Sequence, residues 1–214
     1  MKLTILSILL HFVCLGQISF KEPSLVIKHG ELTIWLDSDY NSFVTKHELQ
    51  YSNLLKLDSD RDDKWHNEVH KGPYSKEPYN RSGYDLGHLT PSHITSYNDT
   101  LNHHSFSFYN QAPQLAQFNR GKWARLEKSV EDSVLKYKSN VTIITGVIYD
   151  NNNKVYLNKS KIKIPHSFYK ILYIQKNKLT YVWVGSNING EILIIKLKNL
   201  NELLLINNNR LIYK

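Results

Sequence analysis

Two residues thirty-one positions apart, His88 and Asn119, mark where chemistry could occur in this chain. An imidazole titrates near neutrality, so His88 could take a proton from water. Asp85 lies three residues earlier and could fix the position of the loop. Gly87 would let the backbone come close to a ligand. Asn119 falls in the first turn of a predicted helix, where its side-chain carbonyl oxygen suits a hard cation such as Mg2+. Glu127 follows eight residues later, about 80° around an ordinary helix, near enough to act on water around that cation. Hydrolysis of a phosphodiester requires a base, a positive centre and help for the leaving oxygen. This set reads as such a site. Taken singly, each member has a plainer explanation: a structural histidine at a strand end, a helix-capping asparagine and a glutamate on the solvated fringe.

The surrounding pattern is that of one α+β domain. Leu25–Ile27 reads as a short strand. Glu31–Leu36 and Ser42–Leu49 are β-rich runs around the turn residues 37–41, which predicts a hairpin. Residues 52–83 are polar and loop-like. Between Leu115 and Tyr137, Trp123, Leu126, Val130 and Val134 recur at three- and four-residue intervals, which predicts an amphipathic helix. Strands resume at Val141–Ile148 and, after Pro165, at Ser167–Ile174. A last pair, Leu179–Val184 and Glu191–Leu197, flanks a Gly/Asn-rich turn. The expected architecture is a mixed or antiparallel sheet with one main helix packed beside the catalytic segment.

The chain has 214 residues, 41% hydrophobic and 21% charged, which suits one globular core. Lys2 is followed by an apolar run from Leu3 to Leu15 and then by small or polar residues. A basic start, a stretch too short to span a bilayer and a small-residue exit are the features of a secretory signal peptide over residues 1–19. Cleavage after Gly16 and after Ser19 both fit. Residues 20–214 would then form a single domain, exported as a secreted or periplasmic protein and not membrane-bound. The single cysteine, Cys14, leaves with such a signal, which excludes thiolate catalysis and cysteine-based zinc sites. The formal net charge of +8 favours a polyanionic partner without identifying one. His93, His103 and His104 read as surface or loop histidines, and the 14 tyrosines suit an exposed β-rich surface.

Several motifs in order make the chain resemble the DNA/RNA non-specific endonuclease family, whose ββα-metal (His-Me finger) site follows a fixed pattern. The family's Asp-Arg-Gly-His corresponds to Asp85-Leu86-Gly87-His88, with Leu89 and Pro91 following. Asn110-Gln111-Ala112-Pro113-Gln114 matches its Asn-x-x-Pro-Gln, and Asn119, Trp123 and Leu126-Glu127 complete the helix motif. Upstream, Arg61, Trp65 and Glu68 match an arginine, an aromatic residue and an acid. The resemblance covers roughly residues 24–200. It implies His88 as general base, Asn119 as the one protein ligand of Mg2+, with Mn2+ able to substitute, and Glu127 as the acid acting on water around the metal. It implies that Asn110 lies close to the histidine, that Arg61 contacts phosphate and that Asp85, Gly87 and Gln114 support the site. Substrates would be DNA and RNA, cut to 5′-phosphate products, and a homodimer is compatible.

Leu86 stands where the family has arginine. A leucine cannot pair with phosphate, so either another cation serves (Arg61, Arg81 or Arg120) or the rate falls on the order of 10²-fold. Two alternatives share the pattern: a nucleic-acid-binding protein without catalysis, and a phosphodiesterase acting on small diesters.

Overall fold

A computed structural model describes residues 24–57, 64–67, 74–150, 154–196, 205–207 and 210–212. The proposed signal over residues 1–19, Arg61 and Glu68 lie outside them. Seven strands form one antiparallel sheet: β1 (Leu25–His29), β2 (Leu32–Leu36), β3 (Ser42–Leu49), β6 (Val141–Ile148), β7 (Ser167–Ile174), β8 (Leu179–Ser186) and β9 (Ile192–Lys196), adjacent in that order. Every pairing is antiparallel, so the mixed alternative drops out. The predicted hairpin is β2–β3, with a bulge at Trp35/Leu36.

Two further strands leave this sheet to make a separate ribbon. β4 (Tyr84–His88) pairs antiparallel with β5 (Gln111–Leu115), setting Asp85 opposite Gln114 and His88 opposite Gln111. Neither strand was legible, because Pro113 and the Gly87 position interrupt any β-rich run. The intervening residues include a seven-residue helix, Asp99–Ser105, whose N-cap Asn98 accepts from the Leu101 N–H at 2.9 Å. The predicted main helix is present over Ala124–Tyr137 and ends on left-handed Lys138, which donates back to the Val134 carbonyl. β10 (Leu205–Asn207) and β11 (Arg210–Ile212) form a small antiparallel pair.

Residues paired across neighbouring strands share a face. One transverse row reads Ile34, Thr45, Thr145, Lys170, Trp183, and the next reads Leu32, His47, Ile143, Leu172, Tyr181. The main helix covers this face with Leu126, Val130 and Val134, while Trp123 precedes it; all four are 6% exposed or less. At about 1.5–3 kcal/mol for each large apolar side chain buried, this stripe is what holds the helix down. Buried Asn187 fastens the ribbon to the sheet. Its side chain accepts from the Leu115 N–H at 2.8 Å and donates to the carbonyls of Pro113 at 3.0 Å and Pro165 at 2.8 Å.

The tyrosines depart from the expected exposed surface. Tyr74, Tyr79, Tyr109 and Tyr169 are buried. Their rings fill core volume while the hydroxyl groups of Tyr74 and Tyr79 reach the Tyr40 carbonyl and the Gln111 side chain.

Candidate active site

His88 ends β4, where the chain leaves the ribbon. Its ring lies 4.6 Å from Trp65, tilted, and 4.9 Å from Phe106, edge to face. Trp65 is itself held by its neighbour: His66 donates to the Phe106 carbonyl at 3.2 Å and accepts from the Phe108 N–H at 2.9 Å. The aromatic wall therefore comes from two distant segments bridged by backbone hydrogen bonds. Asn110 clamps the other side. Its side chain accepts from the Thr90 N–H at 2.9 Å and donates to the carbonyls of Thr90 at 2.8 Å and Ser105 at 2.7 Å. Fully buried Asn110 thus grips the backbone just after His88.

Asn119 does not sit in an ordinary first helical turn. A helical turn at Ala116–Phe118 runs into a π-helical turn at Asn119–Trp123, closed by the Ala124 N–H on the Asn119 carbonyl. A π-turn carries one extra residue. The eight-residue step to Glu127 then behaves like seven, and the 80° expected from uniform pitch shrinks to about 20°. The two polar side chains share one line of the helix, a correction that sequence periodicity could not supply. Gly185 on β8 makes room for this turn: a Cβ there would lie 3.1 Å from Phe118 Cε2 and 3.3 Å from Trp123 Cζ3.

Asp85 orients Asn119. The Asn119 Nδ2 donates to Asp85 Oδ2 at 2.9 Å, which assigns the amide oxygen Oδ1 to the opposite side, away from the carboxylate. Arg120 donates to the same carboxylate through Nε at 2.9 Å and Nη2 at 2.6 Å. Asp85 therefore acts on the helix and not only on its own loop. Arg120, one of the cations considered in place of the family arginine, is committed to Asp85, and Arg81 occupies a turn with positive φ of 54°.

Glu127 faces a cation that sequence reasoning missed. Lys170 is 1% exposed, with Nζ 3.7 Å from Glu127 Oε1, 2.7 Å from Thr145 Oγ1 and 3.5 Å from the Leu89 carbonyl. One ammonium thus touches both the carboxylate and the residue after His88. About a quarter of the Glu127 side chain meets solvent (24%), yet the carboxyl is set deeply enough that burial lifts it to about 7, against the downward pull of Lys170. The signal was present: Lys170 has the inward parity of Phe168, Leu172 and Ile174 in an otherwise apolar strand.

Gly87 was expected to admit a ligand. Its Cα hydrogens instead face Gln114: an added Cβ would lie 2.6 Å from Gln114 Cβ, closer still to Oε1 and 3.2 Å from the Ala112 carbonyl. Glycine is required here by packing within the ribbon. Gln114 is fully buried and its amide makes no hydrogen bond among the described residues, so it serves as filling against Gly87. The three histidines are partnered: His93 pairs with Glu131 at 3.4 Å, while His103 and His104 stack on His66 and His29.

Among the described residues, no group of three or more His, Cys, Asp or Glu side chains is arranged to hold a metal. A protein cage is therefore not what they offer. One amide oxygen beside a carboxylate suits a hard cation that keeps most of its own water. Asn119 is the residue that would hold such a divalent cation.

Residues 25–208, nearly the whole described fold, match the profile of the DNA/RNA non-specific endonuclease family. The chain belongs to this family. Among similar family members, the mitochondrial nuclease of Saccharomyces cerevisiae is 36% identical over 106 residues, 44% of this chain and 32% of that protein. A salivary endonuclease of Lutzomyia longipalpis is 28% identical over 109 residues, 47% of this chain and 26% of that one. The chain thus aligns with about a third or less of each of these relatives. A solved chain from the EndoG/EndoGI inhibition complex superposes with a TM-score of 0.64 at 24% identity, covering 81% of this chain and 80% of its own. That likeness shows the fold, an α+β architecture carrying the β4–β5–helix element.

Proposed function

We propose that this chain is a secreted or periplasmic, Mg2+-dependent endonuclease that hydrolyses DNA and RNA with little sequence preference. The observation that carries the reading is the convergence on β4. His88 ends the strand, Asp85 within it turns Asn119, and Lys170 links Glu127 to Leu89, directly after His88. A divalent cation at Asn119 would supply positive charge against the phosphate and the leaving oxygen. His88 accepts a proton from the attacking water, whose oxygen bonds to phosphorus as the bond to the 3′-oxygen breaks. The 3′-oxygen leaves with the bonding electrons and takes up a proton, giving 5′-phosphate and 3′-hydroxyl ends. Glu127 accepts hydrogen bonds from water beside Asn119, and the Trp65–Phe106 wall keeps the imidazole aimed. Arg61 would contact phosphate. A net positive charge (+8 for the full sequence, one less once Lys2 leaves with the signal) draws in the polyanion through its backbone, which carries no base information, so weak specificity and strong salt sensitivity go together.

The test is cleavage of plasmid DNA and of RNA by the purified mature chain and by His88→Ala, with Mg2+ and with EDTA. The reading expects metal-dependent cleavage by the wild type, 5′-phosphorylated ends and loss of activity in the variant. Wild-type protein inert towards both polymers would refute it. Export is tested separately, by amino-terminal sequencing of the protein recovered outside the cytoplasm, which should begin after Gly16 or Ser19.

A further inference from the structure

Lysine is rarely buried without a partner, because its charged form loses hydration there. Lys170 lies in β7, an interior strand of the seven-stranded sheet, and points from the polar row Thr45, Thr145, Lys170 toward the main helix. Its contacts among the described residues come from four groups. Thr145 Oγ1 accepts at 2.7 Å, the Leu89 carbonyl lies at 3.5 Å, the Trp123 ring centroid at 5.2 Å and Glu127 Oε1 at 3.7 Å. Thr145 belongs to a wider polar seam, since Thr90 Oγ1 donates to Thr45 Oγ1 at 2.9 Å and Asn110 holds Thr90. His47, the other titratable group influenced by Lys170, is completely buried on the adjacent row.

Such a contact set is a poor device for stability alone. A buried ion pair seldom outdoes a well-packed apolar pair of the same volume. Its use is positional: an ammonium anchored on a rigid strand fixes where a carboxylate can sit, and the carboxylate here shares a helix line with Asn119. We infer that Lys170 is a positioning residue of the active site, setting the Glu127 carboxylate against Asn119 and tying it to the backbone behind His88. The inference rests on the nuclease reading and deepens it.

The experiment is a double-mutant cycle of Lys170→Met and Glu127→Gln, read by Mg2+-dependent cleavage of a defined DNA duplex. It is joined to a 13C NMR titration of the Glu127 carboxyl in the metal-free protein. Lys170→Met should lower kcat about 10–100-fold, the usual range when support behind a metal-site group is lost, with KM changed little. In the Glu127→Gln background the same substitution should cost less than about 3-fold, because the group it acts through is already gone. The carboxyl should titrate at higher pH in Lys170→Met than in the wild type. If that variant does not fold, Lys170→Gln replaces it, keeping a donor for Thr145 without the charge. Full kcat in the single variant, an undiminished loss in the Glu127→Gln background, or an unmoved carboxyl titration would each overturn the inference. An inactive wild type would overturn the nuclease reading itself. An active wild type indifferent to Lys170 would overturn only this assignment.

Discussion

Gly87→Ala is the smallest change that should disturb the ribbon holding His88. The new methyl carbon would stand 2.6 Å from Gln114 Cβ and 3.2 Å from the Ala112 carbonyl oxygen, well inside contact distance. The Gln114 amide could swing away, but its Cβ belongs to the β5 backbone and cannot. Overpacking of this kind costs about 1–3 kcal/mol. It must also overcome the roughly 0.5–1 kcal/mol that alanine ordinarily gains over glycine. The net loss is then up to about 2.5 kcal/mol, and at about 2–4 °C per kcal/mol for a chain of this size thermal unfolding should fall by up to about 10 °C. Cleavage should fall with it, since β4 can relieve the clash only by shifting the strand that ends in His88. The geometry makes a sharper demand through rescue. Gln114→Ala keeps the offending Cβ and should not help. Gln114→Gly removes it, so adding Gly87→Ala to that background should cost under about 1 kcal/mol. Melting by circular dichroism on the wild type, Gly87→Ala, and the Gln114→Ala and Gln114→Gly backgrounds with and without Gly87→Ala decides the matter. A stable Gly87→Ala, or an equal cost with and without the Gln114 Cβ, would refute the packing explanation.

Other consequences follow from single contacts. His47 is pressed down to about 4, by burial first and then by Lys170, whereas the unfolded chain takes up that proton near 6.5. Its contribution is therefore present above pH 6.5 and lost as pH falls toward 4, by up to about 3 kcal/mol. Glu127, raised to about 7, acts oppositely and lowers stability as pH rises from about 4.5 to 7. His47→Gln should thus narrow the difference between urea midpoints at pH 7 and pH 5; an unchanged difference would remove His47 as the acid trigger. Asp85→Ala frees the Asn119 amide to turn, and the Mg2+ concentration for half-maximal cleavage should rise about 10–100-fold with little change in melting temperature. Trp65→Ala removes the ring 4.6 Å from His88, and kcat should drop about 10-fold or more while KM holds. Equal kcat in that variant would show that Phe106 and the ribbon suffice to aim the imidazole.

The amino-acid order by itself determined which groups are available and most of the scaffold beneath them. The apolar spacing of Trp123, Leu126, Val130 and Val134 specifies a helix because those side chains must share one buried stripe. The β-branched and aromatic runs of β2, β3, β6, β7 and β8 specify strands for the same local reason. The motif around His88 and Asn119 pointed to the endonuclease family before any coordinates. Tertiary structure alone decided how those groups meet. β4 and β5 are strands through their pairing with each other, despite Pro113 and Gly87, and pairing across a gap of 22 residues leaves no local periodicity. The π-turn at Asn119, whose flanking Phe118 and Trp123 pack against Gly185, shifts the phase between Asn119 and Glu127, which could not be counted from the sequence. Lys170 lies 43 positions beyond Glu127, and only the register of β6 and β7 under the main helix brings its ammonium to the carboxylate. Local sequence sets the periodicity of each element; the contacts between elements depend on burial shared by residues that are far apart in the chain.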